Sequence, residues 1–180
     1  MSTTSMLTYL LAKHLAFKLK PLTSNVDFFI KDSSSFINKI KGLKLKPNDI
    51  LVSFDVVSPF TKILIKEAIG IVNKIIDLNT TKLVNIWLKS TFFSFEDEIY
   101  EYIYGVMVGS PLSLIVANIF MEDFETKSLP FDPFHPKLWK RYVDNSFTIR
   151  HYGWKQLEIF IYYLLFLIFS TNFNLYQLCS

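Results

Sequence analysis

LVSFDVVSPFT, residues 51–61, is the stretch that decides how the rest of this chain is interpreted. Its side chains alternate as in a β-strand, with Val52 and Phe54 on one side and Asp55 on the other. Such an apolar run should be buried on at least one face. A bare carboxylate is costly to bury there without a partner, a cation or an open edge. Asp55 is therefore either a cap for the next helix or a ligand for a divalent metal ion.

The composition is that of a globular protein, with 51% apolar and 19% charged residues among 180. The net charge of +3 is too small to prove nucleic-acid binding. Eight lysines are nevertheless concentrated near the amino terminus, offset there by two aspartates: Lys13, Lys18, Lys20, Lys31, Lys39, Lys41, Lys44 and Lys46. Such a stripe suits contacts with phosphates, or simply solvated helix faces.

Several kinds of site are disfavoured by the remaining residue types. Cys179 is the single cysteine, which excludes an internal disulfide and argues against zinc. The three histidines are scattered at His14, His135 and His151. An uncharged apolar run at residues 159–169 is shorter than the approximately 20 residues of a membrane-spanning helix. No transmembrane helix is expected.

Apolar periodicity and turn residues predict an alternation of helices and hairpins. The predicted helices lie at residues 8–22, 36–43, 65–78 and 81–90, with capping residues for the second at 31–35. Hairpins are predicted at 92–104 and 138–149, the second turning at Asp144-Asn145, and a loop with three prolines at 129–137.

A stronger helix is predicted to open at Gly109-Ser110-Pro111. Serine suits the N-cap and proline the first helical turn. Apolar residues then recur at helical spacing and define a buried stripe of Leu112, Ile115, Val116, Ile119, Phe120 and Phe124.

Asp144 is a second acidic residue beside an apolar strand. It is either an ordinary turn residue or, if the fold brings its strand next to Asp55, part of a cation site. Mg²⁺ takes hard oxygen ligands, commonly one or two carboxylates plus substrate phosphates. Two such ions about 3.5–4 Å apart serve nucleotidyl transfer.

Three segments resemble the reverse transcriptases, specifically those of Penelope-like retroelements. SFDVVSPFT at 53–61 is similar to polymerase motif A. GSPLS at 109–113, continuing through ANIFME at 117–122, is similar to motif B. RYVDNSF at 141–147 is similar to motif C, the Tyr-x-Asp-Asp box. The motifs occur in the family's order and spacing, and the resemblance covers roughly residues 8 to 160.

The resemblance implies an α+β fold, a fingers-plus-palm fragment of a right-hand polymerase with a small antiparallel palm sheet backed by helices and no thumb. Residues 1–48 would be a helical, lysine-rich fingers-side segment, 49–150 the palm core, and 151–180 a degenerate apolar tail. The implied activity is RNA-directed DNA synthesis with two Mg²⁺ ions, or Mn²⁺ in their place. RNA template, DNA primer and deoxynucleoside triphosphates are the implied partners, and the sequence indicates no protein partner or compartment.

The resemblance also implies roles for individual residues. Asp55 and Asp144 would hold the metal ions. Phe60 would be the steric gate that excludes a 2′-hydroxyl, and Tyr142 would pack beside the primer terminus. The residues opening the helix that supports template and nucleotide would be Gly109, Ser110 and Pro111.

The chain departs from the family at sensitive positions. Asn145 stands where the family has its second motif-C aspartate, so it keeps an oxygen but loses a charge. Other departures from the common residues are Pro59, Leu64, Met107, Val108 and Leu114. The similarity also ends near Phe160. These features predict a truncated, decaying copy that is weak or inactive as a polymerase, with a frameshift near that point as one explanation.

Two other functions stay open at the level of sequence. The lysine-rich segment suits a non-catalytic nucleic-acid-binding remnant, whose binding would weaken with salt. The apolar tail suits a membrane-associated or aggregating product.

Overall fold

The structure is a computed structural model that describes residues 3–55, 63, 65–90, 92–96, 98–101, 105–107, 109–132, 134–151, 153–170 and 177–178. The chain forms two compact units, each made of two segments. The first contains Met1–Thr23 and Ser58–Asp123, and the second Ser24–Val57 and Phe124–Ser180. The division into a fingers-side segment, a palm core and a tail, with boundaries after residues 48 and 150, stays a prediction.

The helices of the described residues are α1 (Thr3–Leu19), α2 (Ser33–Ile40), α3 (Ile65–Ile75), α4 (Leu78–Lys89), α5 (Pro111–Ser128) and α6 (Gly153–Ser170). The strands are β1 (Ile50–Asp55), β2 (Phe92–Phe95), β3 (Glu98–Glu101), β4 (Leu138–Tyr142), β5 (Asn145–Arg150) and β6 (Gln177–Leu178). Short 3₁₀ turns lie at Lys20–Leu22 and Leu129–Phe131.

The first unit is built mainly from helices, and its strands β2 and β3 form a separate antiparallel hairpin. The hairpin agrees with the alternation predicted for residues 92–104. Helix α1 ends at Leu19, and Pro21 sits in the following 3₁₀ turn, because proline lacks the amide that would continue the helix.

The second unit contains a sheet in the order β4-β5-β1-β6. All three neighbouring pairs are antiparallel. Strand β1 pairs with β5 from Ile50 opposite Arg150 to Asp55 opposite Asn145. The prediction of an α+β fold with a small antiparallel sheet backed by helices is therefore confirmed.

One face of this sheet is buried and carries an aromatic cluster. Val52 and Phe54 are buried, whereas Leu51 on the opposite face is 52% exposed. The ring of Phe54 stacks on Trp139 with centroids 5.9 Å apart, and Phe160 of α6 meets Trp139 edge-on at the same separation. Such pairs are worth about 0.5–1.5 kcal/mol beyond the area they bury.

The turn of the β4–β5 hairpin was wrongly predicted by one residue. Tyr142 pairs with Asn145, so the two turn residues are Val143 and Asp144 rather than Asp144 and Asn145. Val143 has φ +54°, which is uncommon for a β-branched residue. The register is set by the buried face of the hairpin, since a slip of one residue would reverse every side chain.

Helix α2 begins at Ser33, earlier than predicted, because Asp32 acts as its N-cap. The Asp32 carboxylate accepts hydrogen bonds from the backbone N–H of Ser35 at 2.7 Å and from its hydroxyl at 2.8 Å. This cap confirms the capping role predicted for residues 31–35.

Helix α6 extends into the apolar carboxyl-terminal segment. Its residues Leu157, Phe160 and Leu164 are buried, whereas Ile159 and Tyr162 are exposed. Among the helices described, none combines the length and apolar character needed to cross a membrane.

Candidate active site

Asp55 and Asp144 lie at the same end of the sheet. Asp55 is the last residue of β1, and its register partner on β5 is Asn145. Asp144 lies in the hairpin turn and directly precedes Asn145, the first residue of β5. The backbone pairing therefore brings the two predicted ligand positions together from strands far apart in sequence.

The Asn145 amide bonds to its neighbour instead of adding a charge. Its Nδ2 donates to Oδ1 of Asp144 at 3.2 Å. An aspartate at this position would have no such donor and would repel the Asp144 carboxylate. The hydrogen bond therefore adds no negative charge at this end of the sheet and engages one carboxylate oxygen of Asp144.

The open face of the sheet forms one wall of a cavity of about 370 Å³. Strand alternation places Ser53, Asp55, Lys140, Tyr142, Asn145 and Phe147 on this face. Phe36 of α2 covers part of it and meets Phe147 edge-on, with ring centroids 5.3 Å apart. Tyr142 is 53% exposed and lines the cavity, so its ring is accessible beside the turn.

A short segment before α2 protects the outer edge of β4. The N–H of Arg141 donates to the carbonyl of Phe28 at 2.7 Å, and the N–H of Ile30 donates to the carbonyl of Arg141 at 2.8 Å. These bonds form a parallel bridge beside the hairpin. They remove an unpaired strand edge and carry the chain towards the cavity wall.

Lys140, which lines the cavity on the same face of the sheet, reinforces this attachment. Its ammonium donates to the carbonyl of Asp27 at 2.6 Å and to the Asp27 carboxylate at 2.7 Å. Hydrogen bonds from Lys140 and then Lys39 lower the pKa of Asp27 from 3.8 to about 2.

The opposite end of the sheet is held by a buried carboxylate. Asp49 Oδ2 accepts from Lys137 at 2.8 Å, and Asp49 Oδ1 lies 2.7 Å from Nδ1 of His151. The Lys137 ammonium and the N–H of Lys46 hold the pKa of Asp49 well below its usual range. This cluster anchors the start of β1 to the strand that ends in Arg150.

Glu125 and Arg141 form a buried ion pair behind the hairpin, which was not predicted from the sequence. Both oxygens of Glu125 accept from Nε of Arg141, at 2.9 and 3.0 Å. Helical spacing could have indicated the burial of Glu125, because it follows Met121, which is buried, by one helical turn on the same face of α5. Arg141 likewise alternates with Trp139 on the buried side of β4.

The predicted motif-B residues lie in the first unit and form the start of α5. Gly109 has φ +89°, a conformation that favours glycine. The hydroxyl of Ser110 accepts from the N–H of Leu112 at 3.4 Å, and the helix begins at Pro111 as predicted. The Ser113 hydroxyl donates to the carbonyl of Met107 and secures this helix start.

Most of the predicted apolar stripe of α5 is buried, with Phe124 only half-buried. Phe60, the predicted steric gate, lies outside the described residues, as do Pro59, Leu64 and Val108. The eight amino-terminal lysines are all exposed. Within the described part of the chain, no group of three or more His, Cys, Asp or Glu side chains is arranged to hold a metal ion.

Telomerases of known structure are similar to this chain in fold. The telomerase of Candida tropicalis in complex with the TWJ fragment of telomeric RNA superposes with a TM-score of 0.63 at 12% identity, over 83% of this chain and 29% of that one. The fold is reverse-transcriptase-like. The Candida albicans telomerase with the same kind of RNA fragment has a TM-score of 0.64 at 12% identity, covering 94% and 35%.

The apo telomerase of Candida tropicalis truncated from its C-terminal domain is also similar, with a TM-score of 0.56 at 12% identity, covering 94% and 38%. This chain thus spans between 29% and 38% of the telomerase chains it matches. No family model and no curated protein matches the sequence.

Proposed function

We propose that the chain is part of the RNA-directed DNA polymerase of a Penelope-like retroelement, with Asp55 and Asp144 as its metal ligands. The observation that carries the proposal is the register of β1 on β5, which sets Asp55 opposite Asn145 and beside Asp144. The fold similarity to telomerases supports the polymerase class, and the three sequence motifs support the Penelope-like assignment. RNA template, DNA primer and deoxynucleoside triphosphates are the proposed partners.

The residues present fit a magnesium site. Two partly exposed carboxylates at one end of a sheet are the hard oxygen donors that Mg²⁺ or Mn²⁺ accepts alongside substrate phosphates. Asp55 and Asp144 would hold the ions, which supply charge stabilisation for nucleotidyl transfer. Tyr142 would contact the primer terminus from the exposed cavity wall, and Phe60 would discriminate the sugar.

In this proposal, Asn145 weakens the binding of metal ions by the site. Two dications held close together repel each other, and each carboxylate reduces that repulsion. The site offers two charges where the family has three. We expect polymerase activity of the unmodified chain to be low or absent.

The proposal is tested by Mn²⁺ binding, measured by isothermal titration calorimetry. Asp55→Asn and Asp144→Asn should each weaken binding by at least about tenfold, because each removes one of few charged ligands. Glu158→Gln, which alters an exposed acid on α6, is the control and should bind as the unmodified protein does. Equal affinity in Asp55→Asn and Glu158→Gln would contradict the metal assignment.

The alternative of a non-catalytic nucleic-acid-binding protein is favoured by the exposure of all eight lysines. Primer extension by the Asn145→Asp variant on an RNA template distinguishes this alternative from the polymerase. Salt-sensitive template binding with no incorporation by that variant supports the alternative. Incorporation that Asp55→Asn abolishes supports the polymerase.

A further inference from the structure

A chain of buried hydrogen bonds connects helix α5 to the turn that carries Asp144. Glu125 on the last turns of α5 is 1% exposed, and Arg141 on β4 is 0% exposed. Besides its two bonds from Arg141, Glu125 Oε1 accepts from the indole N–H of Trp139 at 2.9 Å. Glu125 thus holds two side chains of β4 at once.

Arg141 extends this chain into the turn itself. Its Nη1 donates to the carbonyl of Val143 at 2.9 Å. Val143 is the turn residue with φ +54°, and Asp144 follows it directly. A β-branched residue persists in this region of φ only where its surroundings hold it there. The Arg141 guanidinium supplies such a restraint at the carbonyl of the strained residue.

We propose that Glu125 and Arg141 are positioning residues, which hold the Val143–Asp144 turn so that the Asp144 carboxylate is presented beside Asp55. The inference rests on the proposed function for its consequence in metal binding. Glu125 fixes the guanidinium through Nε, and the guanidinium fixes the turn through Nη1. Lysine cannot replace arginine here because a single ammonium cannot span both acceptors in a rigid fork.

The second unit provides a matched control pair. Arg150 and Asp132 are also buried, at 1% exposure each, with Nη2 of Arg150 2.8 Å from Oδ2 of Asp132. Arg150 also donates to the carbonyl of Phe134 and lies 4.0 Å over the Phe160 ring. It sits at the other end of β5, opposite Ile50. Disrupting this pair removes a buried charge partner without touching the turn.

The first experiment compares Glu125→Gln and Arg141→Lys with Asp132→Asn and Arg150→Lys. Amide exchange and chemical shifts of Val143, Asp144 and Asn145 are measured by NMR in folded samples without metal. The Glu125 and Arg141 variants should accelerate exchange at the turn by at least about tenfold, and the control variants should not. Equal effects of both pairs on the turn would overturn the inference.

The second experiment measures Mn²⁺ affinity of the same four variants. We expect Glu125→Gln and Arg141→Lys to weaken binding by at least about tenfold relative to the controls. If the unmodified protein binds Mn²⁺ through Asp144 but all four variants bind alike, the inference fails and the proposed function stands. If the turn responds as expected but the unmodified protein binds no Mn²⁺, the positioning role stands and the proposed function fails.

A measurement on the unmodified protein covers the case in which the variants do not fold. During a Mg²⁺ titration, the Arg141 Nε–H and Trp139 indole resonances should shift together with the Asp144 amide, with one common dissociation constant. The Arg150 Nε–H resonance should stay constant. A shifting Asp144 amide with unchanged Arg141 and Trp139 signals would overturn the inference.

Discussion

At the scale of single residues, Asn145 is the position at which the candidate site differs most from what two metal ions require. Its amide donates to the Asp144 carboxylate and contributes no charge of its own. The bond stabilises the metal-free turn, because an acid in its place would face two other carboxylates at the end of the sheet. Under the proposed function, Asn145 therefore favours the metal-free protein over the metal-bound protein.

Asn145→Asp should therefore tighten Mn²⁺ binding by on the order of tenfold, since ligand charge sets the affinity of such sites. Calorimetry at constant ionic strength measures this change. Asn145→Ala is the matched control, because it removes the same hydrogen bond without adding a charge. Equal tightening in both variants would attribute the effect to release of Asp144 and contradict the role of the added charge.

At the scale of elements, helix α6 and the sheet form one core in the second unit. Phe160 contacts the Phe54–Trp139 stack on one side and the Arg150 guanidinium on another. The neighbouring Ile159 is 52% exposed on the same helix. The apolar segment that the sequence marks as degenerate therefore contains side chains on which the sheet depends.

Phe160→Ala should lower the free energy of unfolding by about 3–5 kcal/mol, because it removes a buried aromatic ring and leaves a cavity. Ile159→Ala, one residue away, should change it by less than about 0.5 kcal/mol. Urea unfolding followed by tryptophan fluorescence measures both. Similar losses for the two substitutions would show that α6 does not pack on the sheet through Phe160.

At the scale of the whole molecule, acid should destabilise the fold through its paired carboxylates. Asp27 has a pKa of about 2 in the folded chain, against approximately 3.9 in an unfolded one. The pKa of Asp49 is also lowered, by its hydrogen bonds from the Lys137 ammonium and the backbone N–H of Lys46. A depressed folded pKa gives stability that is complete above about pH 5 and is lost as the pH falls towards 2.

The free energy of unfolding should therefore decrease between pH 5 and pH 2, and Asp27→Asn should make that decrease shallower. Urea titrations at pH 5, 3 and 2 measure the slope. Glu158→Gln serves as the reference because its acid is exposed on α6. The idea is refuted if Asp27→Asn and Glu158→Gln have the same slope as the unmodified protein.

The sequence by itself determined the features that depend on neighbours along the chain. The alternation of residues 51–55 predicted that Val52 and Phe54 share one side of β1, and both are buried there. The polar run at residues 31–35 predicted the capping of α2, although the helix begins earlier than predicted, and Ser110-Pro111 predicted the start of α5. Caps and alternating burial involve residues within a few positions of each other, so local patterns are sufficient to identify them.

Only the tertiary structure decided which distant residues meet. The pairing of Asp55 with Asn145 and the bonds from Arg141 to Glu125 join separate segments. Valine disfavours the positive φ that Val143 adopts in the turn. Burial of Arg141 and Ser146 on one face of the hairpin nevertheless sets that register. Tertiary burial outweighs the strain of one residue, because another register would expose the buried face of the whole hairpin.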